Sequence, residues 1–232
     1  MLDMVKPLPS DERIGLSGVI LAGGQNRRMG RSPKALLSYR HEKLVHRQIR
    51  KLRTVCSEVI LVTNEPRLYL PILGSRVRIV TDFYPGQGPL AGIHAALSLA
   101  RESKAWVVGC DMPFLSPRAA LLMDKHKTAT AADAVVPCID GRPHPLHAIY
   151  DKNCAERIAI WLETGRLKAN EFLESVRCEW ITERTFLSEG IDPQFVLNVN
   201  TPNEYERSLL LDRQREEGLT VGSSDAAKRH NQ

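Results

Sequence analysis

The chain has 232 residues, a net charge of +5 and a hydrophobic fraction of 43%, which suits one large α/β domain or two small ones with a full core. No apolar run approaches the length of a membrane span, and the N-terminus has no apolar signal core, so the expected compartment is the cytoplasm. The mild positive charge comes without a helix-turn-helix, zinc-finger or aromatic RNA-binding signature, which argues against nucleic acid and for a small phosphorylated ligand.

Residues 1–16 read as a loose leader, with prolines and alternating charge. "SGVILA" (17–22) is a short, β-branched apolar run and predicts a buried strand. The segment from Lys43 to Arg53 repeats apolar residues at Leu44, Val45, Ile49 and Leu52, a helical spacing with a basic outer face. "EVILVTN" (58–64) and "RVRIVTD" (76–82) predict strands, and "PLAGIHAALSLAR" (89–101) a helix with proline in its first turn. "AWVVGCD" (105–111) predicts the least polar strand; the helix at 116–127 opens with Ser116 as N-cap and Pro117 at the first helical position. Strands follow at 133–138 and 145–150, a glycine-closed helix at 153–165, a late strand at 178–182, and a helix at 201–216. In that last helix Thr201, Pro202 and Glu204 form a capping box with a proline start. From Gly218 the chain is small and polar, and disorder is expected.

The alternation over 17–127 predicts a three-layer α/β/α domain on a mostly parallel sheet, with an added β-rich region at one side. One domain is expected over 17–216, with a nucleotide-binding half (17–127) and an acceptor-binding half (128–216), followed by a disordered tail (217–232). Cys56, Cys110, Cys138, Cys154 and Cys178 are dispersed, as reduced thiols are, and Cys110 reads as a strand-end core residue.

In open α/β sheets ligands sit at the carboxyl ends of the strands. That edge collects the glycine backbone of "LAGGQNRRMGRSPK" (21–34), Arg27, Arg28, Lys34, Asn64, Asp82 and Asp111. The loop is neither a Walker A nor G-x-G-x-x-G. Its glycines allow close backbone approach, and Arg28 and Lys34 can neutralise phosphate. An aspartate ending an apolar strand is costly unless paired or metal-bound, and Asp111 suits Mg²⁺, which takes few carboxylates. A rival exists in "GQGPLA" (86–91), which matches a dinucleotide fingerprint with Asp111 downstream, but Asp82 to Pro85 separate it from its strand. His144 and His147 do not form a metal box; Arg142 and His147 suit a second ligand's pocket.

These motifs together resemble the molybdenum cofactor guanylyltransferases, nucleotidyltransferases of the glycosyltransferase-A type with a Rossmann-like fold. The likeness rests on Leu21-Ala22-Gly23-Gly24, Arg28-Met29-Gly30 and Lys34, on Gly88-Pro89-Leu90-Ala91-Gly92, on Asp111-Met112-Pro113-Phe114, on Pro145-Leu146 with Tyr150, and on Asn198-Val199-Asn200-Thr201-Pro202. The resemblance implies transfer of GMP from GTP to the molybdopterin cofactor, with pyrophosphate released. It implies GTP contacts at Leu21, Ala22, Gly23, Gly24, Lys34, Asn64, Asp82, Gly88 and Asp111, with Mg²⁺ on Asp111. Arg28, Lys34 and Asp111 would be catalytic, and Arg142, His147, Asn198 and Asn200 would face the acceptor. Partners would be found among the proteins that make molybdopterin or receive the finished cofactor. Pro33 stands where many members have Asp and resembles the cytidylyltransferase branch acting on the same pterin, so CTP is the rival nucleotide. The same loop and aspartate would also serve a guanylyltransferase with a different phosphorylated acceptor, or a GTP-binding adaptor that delivers cofactor without chemistry.

Overall fold

The structure is a computed structural model that describes residues 14–23, 33–75 and 77–228. Its first strand, β1 (Ile14–Leu21), begins ahead of the expected Ser17 because Ile14 already pairs with Cys56. A 3₁₀ turn (Lys34–Leu36) and a small hairpin, β2 (Ser38–Tyr39) and β3 (Glu42–Lys43), lead into α1 (Leu44–Leu52). Then come β4 (Cys56–Val62), the short α2 (Pro66–Tyr69), β5 (Arg78–Val80), α3 (Pro89–Leu99), β6 (Lys104–Gly109) and α4 (Pro117–Thr130). The second half holds β7 (Ala134–Ile139), β8 (Arg142–Pro143), β9 (His147–Asp151), α5 (Cys154–Glu163), α6 (Ala169–Glu174), β10 (Cys178–Thr182) and α7 (Glu183–Ser188). A 3₁₀ turn (Pro193–Val196) precedes α8 (Pro202–Lys228), which runs past the Glu216 at which the sequence pattern ends.

Strand order is β10-β7-β9-β6-β1-β4-β5, with β8 paired to β7. β1 pairs in parallel with both β4 and β6, β4 with β5, and β7 with β10; β9 runs antiparallel between β6 and β7. The sheet is thus mostly parallel, with the reversed strand in the added region. Because side chains alternate along a strand, each one feeds two cores. Leu16, Ile20, Trp106, Val108 and Val135 pack under α1, α4 and α7, while Val19, Leu21, Val107 and Val136 pack under α3, α5 and α6. This is the expected three-layer arrangement.

Two capping expectations are met in atomic detail. Ser116 Oγ accepts from the Ala119 N–H at 3.2 Å at the start of α4. Thr201 Oγ1 accepts from the Glu204 N–H at 3.2 Å, and Glu204 Oε2 accepts from the Asn200 and Thr201 N–H groups at 2.7 and 2.9 Å. Among the described residues, no helix is long and apolar enough to cross a membrane.

Candidate active site

The chain leaves β1 toward β4 on one side, and β6 lies on the other side of β1. The strand order therefore reverses at β1, and in open α/β sheets the ligand site lies outside the carboxyl ends of the two strands at such a reversal, here β1 and β6. Leu21 and Ala22 close β1: the Leu21 carbonyl accepts from the Cys110 N–H at 3.2 Å, and the Ala22 N–H donates to the Val62 carbonyl at 2.8 Å. Gly23 is exposed beyond them. Gly24 and Arg28 lie outside the described residues.

Asp111 follows β6, and three separate parts of the chain meet around it. Lys34 Nζ donates to Asn200 Oδ1 at 2.5 Å and approaches Asp111 Oδ2 at 3.4 Å. The Asp111 carbonyl accepts from the Val199 N–H at 2.8 Å, which fastens the Asn198–Asn200 segment to the strand end. The side chains of Lys34 and Asp111 are 17% and 20% exposed, so the pair is shielded yet open on one side. A Cβ on Gly109 would lie 2.8 Å from Asp111 Oδ1, so glycine at the last residue of β6 is what lets this carboxylate fold back against the strand. Asn198 is exposed beside this cluster in sequence.

Asn64 and Asp82 are brought together at the ends of β4 and β5. Asn64 Oδ1 accepts from the Asp82 N–H at 3.2 Å, and Asp82 Oδ1 accepts from the Tyr84 N–H at 2.8 Å. Burial pushes the Asp82 carboxyl above the usual range, although the Tyr84 N–H and His94 pull it down. His94, on α3, packs edge-on against Phe83 and Tyr84 with ring centroids 5.6 and 5.3 Å away, and burial holds its imidazole below the ordinary value. Gly88 precedes α3 with φ +78° and ψ −166°, a region that only glycine occupies readily, and no atom would lie within 4 Å of a Cβ there. Gly86 and Gly88 both have positive φ and open space where a Cβ would stand, so the loop between β5 and α3 exposes bare backbone at those two positions.

Two acceptor expectations fare differently. Arg142 is exposed on β8, and β9 and β7 stand between it and β6. His147 cannot line a pocket: it is 0% exposed, paired with Val108 on β9, and wedged between Trp106 and Phe195 at centroid distances of 5.4 and 4.7 Å. Burial pushes its imidazole down to about 3, so it is a neutral core ring. The run "PLHAIY" alternates so that His147 shares the inward face with Ile149, and that face is covered by the 3₁₀ turn carrying Phe195. Burial, with the neighbouring Asp111 charge, pushes the Cys110 thiol up to about 12, in keeping with a core thiol and not a nucleophile.

The sequence reading missed Gln48. It falls on the buried stripe of α1 with Leu44, Val45, Ile49 and Leu52, and a polar residue on such a stripe is itself a signal.

An open α/β sheet with a lysine, a carboxylate and a glycine-backed loop at its switch point defines a nucleotide-handling enzyme, and residues 18–179 match the family described as MobA-like NTP transferase domain. The probable molybdenum cofactor guanylyltransferase of Pelotomaculum thermopropionicum is 36% identical over 84% of this chain and 92% of its own length. The molybdenum cofactor guanylyltransferase of Desulfosudis oleivorans is 32% identical over 83% and 94%. Among solved structures, molybdopterin-guanine dinucleotide biosynthesis protein A from Archaeoglobus fulgidus superposes with a TM-score of 0.73 at 24% identity, over 86% of this chain and all (100%) of that one. A CMP:2-keto-3-deoxy-manno-octonic acid synthetase shares the fold at a TM-score of 0.66 and 13% identity, over 86% of this chain and 99% of that chain. The chain is a nucleotidyltransferase. It belongs to the molybdenum cofactor guanylyltransferase family.

Proposed function

We propose that this protein transfers GMP from GTP to the terminal phosphate of the molybdopterin cofactor in the cytoplasm, giving the guanine dinucleotide form and pyrophosphate. The observation that carries the reading is the meeting of Lys34, Asp111 and Asn200 at the sheet's switch point, in a chain whose relatives bear that activity in their names. In the reaction a phosphate oxygen of the pterin forms a bond to the α-phosphorus, and the bond from that phosphorus to the β-phosphate bridging oxygen breaks. A phosphate monoester has its second pKa near ~6 and is already largely ionised at neutral pH, so the protein needs no general base. Its task is to align two anions and to screen their repulsion.

The backbone at Leu21, Ala22, Gly23 and Gly24 and the open loop at Gly88 would cradle the nucleotide, with Asn64 and Asp82 among its further contacts. Lys34 and Arg28 would stabilise the departing pyrophosphate. Arg142, Asn198 and Asn200 would meet the acceptor. The donor set suits Mg²⁺: Asp111 and Asn200 offer two hard oxygens that already converge on one cation, the Lys34 ammonium. Among the described residues no cluster of three or more His, Cys, Asp or Glu competes as a metal site. A metal with few protein ligands and several phosphate or water ligands fits that pair. When bound, it would screen the triphosphate and draw charge from the reacting phosphorus.

The test is pyrophosphate release with the molybdopterin cofactor and each of the four triphosphates. GTP-specific release supports the reading, and Asp111→Asn should then lose turnover while GTP binding persists. Release only with CTP transfers the activity to the branch that Pro33 resembles. Tight GTP binding without release under any acceptor would make the protein a delivery adaptor.

A further inference from the structure

Gln48 is 0% exposed on α1, yet its side-chain amide bonds the turn carrying Asp111. Its Nε2 donates to the Gly109 carbonyl at 2.7 Å and to the Met112 carbonyl at 3.0 Å, one on each side of Asp111. Both partners are acceptors, which fixes the amide with nitrogen toward the turn. Its Oε1 is buried and has no hydrogen-bond partner. The preceding residue extends the clamp: Arg47 Nε donates to the Pro113 carbonyl at 2.9 Å, while its Nη2 pairs with Asp212 on α8 at 2.5 Å. Three carbonyls of the segment 109–113 are therefore tied to two adjacent residues of one helix.

A strand that ends in glycine and turns at once leaves its last carbonyls without ladder partners, and buried carbonyls must be paired somewhere. A core helix position that packs against such a turn is ordinarily filled by an apolar residue. Here one amide, with an orphaned oxygen left behind, serves both carbonyls. With the Gly109 and Met112 carbonyls fixed, and the Asp111 carbonyl held from the other side by the Val199 N–H at 2.8 Å, the Asp111 side chain is directed to Lys34, 3.4 Å away.

We propose that Gln48 is a positioning residue for the reaction: it acts through the backbone of Gly109 and Met112 to aim the Asp111 carboxylate at the site it shares with Lys34 and Asn200. The proposal rests on Asp111 being the group that works in turnover. Gln48→Met keeps the length of the side chain and removes both donors. Gln48→Glu, held neutral by burial, keeps a single O–H donor. Val45→Ala, on the same helix and in the same core, loosens packing without removing a hydrogen bond to the turn.

Three readouts apply to the folded proteins: the rate of pyrophosphate release with its KM for GTP, the Mn²⁺ concentration at half-saturation measured by electron paramagnetic resonance with GTP present, and the urea midpoint. Displacing a reacting group by about 1 Å costs on the order of 100-fold in rate. Gln48→Met should lose roughly 10- to 100-fold in kcat, with KM for GTP within about 2-fold and Mn²⁺ half-saturation raised about 10-fold. Gln48→Glu should fall between it and wild type, and Val45→Ala should lower the urea midpoint while leaving kcat and Mn²⁺ binding alone. Wild-type kcat and Mn²⁺ binding in either folded Gln48 variant overturn the proposal, as does an equal kcat loss in Val45→Ala. If Asp111→Asn itself keeps wild-type turnover, the reading of Asp111 has failed, and the positioning role falls with it.

Discussion

Lys34 and a divalent cation would use the same two oxygens, and that competition can be measured. At 3.4 Å from Asp111 Oδ2, in surroundings of effective dielectric about 20, the gross attraction of the ammonium for the carboxylate is about 5 kcal/mol. A doubly charged ion placed ~4 Å from that ammonium would meet about 8 kcal/mol of gross repulsion in the same dielectric. Desolvation and side-chain ordering cancel most of such gross figures, leaving a net effect of about 1–2 kcal/mol, or roughly 10-fold in affinity. Lys34→Met removes the charge while keeping most of the stem. In the absence of nucleotide it should therefore bind Mn²⁺ about 10-fold more tightly than wild type. With GTP present the order inverts, because the triphosphate loses its lysine. The assay is a Mn²⁺ titration followed by electron paramagnetic resonance, with Asp111→Asn as the variant that should lose the tight site in both backgrounds. Equal or weaker nucleotide-free Mn²⁺ binding in Lys34→Met would refute the competition, and unchanged binding in Lys34→Met combined with Asp111→Asn would place the metal elsewhere.

The order of layers was legible because short continuous apolar runs alternate with segments of helical apolar spacing along the chain. Strands such as 58–64 and 105–111 are continuous apolar runs bounded by polar turns, and a buried parallel strand needs that pattern. The caps at Ser116 and Thr201 were readable because their hydrogen bonds are local. What escaped was short or paired across distance. The β2–β3 hairpin spans four paired residues, Ser38 with Lys43 and Tyr39 with Glu42, too few to show a period. α6 and α7 are six residues each, short of two turns, and their burial depends on Phe172 and Phe186 finding cores that other segments build.

The site divides along the same line. Lys34 and Asp111 could be placed at one sheet edge because both follow predicted strands, whereas the contact of Lys34 with Asn200 could not be read, since the two are 166 positions apart. His147 misled because a histidine two residues after a proline, in a segment that also carries Arg142, looks like a pocket residue. Only the partner of its strand face decides, and that partner, Phe195, comes from a 3₁₀ turn the sequence did not announce. Gln48 differs: its position lies on the apolar stripe of α1 between Val45 and Ile49, and the carbonyls it serves belong to a turn some sixty positions away.

Three further outcomes follow from the geometry. Gly88→Ala forces an L side chain into φ +78° and ψ −166°, which should cost about 1–3 kcal/mol in urea unfolding and weaken GTP binding in the same variant; unchanged stability would mean that the loop relaxes freely. Ser116→Ala should lower stability by about 1 kcal/mol with the urea m-value unchanged, and a loss under a few tenths would leave the cap without energetic weight. The last concerns pH. His147 is held at about 3 in the fold against an ordinary 6.5, so the native state binds fewer protons than the unfolded chain between those values. Stability is then complete above the unfolded pKa and is lost as pH falls, at a limiting slope of about 1.4 kcal/mol per pH unit for this one group. His147→Leu also removes two buried ring nitrogens that lack hydrogen-bond partners, so it should be tolerated at pH 7 and should flatten the acid limb of the stability profile. Urea unfolding of both proteins from pH 7 to pH 4.5 reads the difference directly. Parallel acid limbs would refute this, showing that the imidazole takes up its proton inside the folded core.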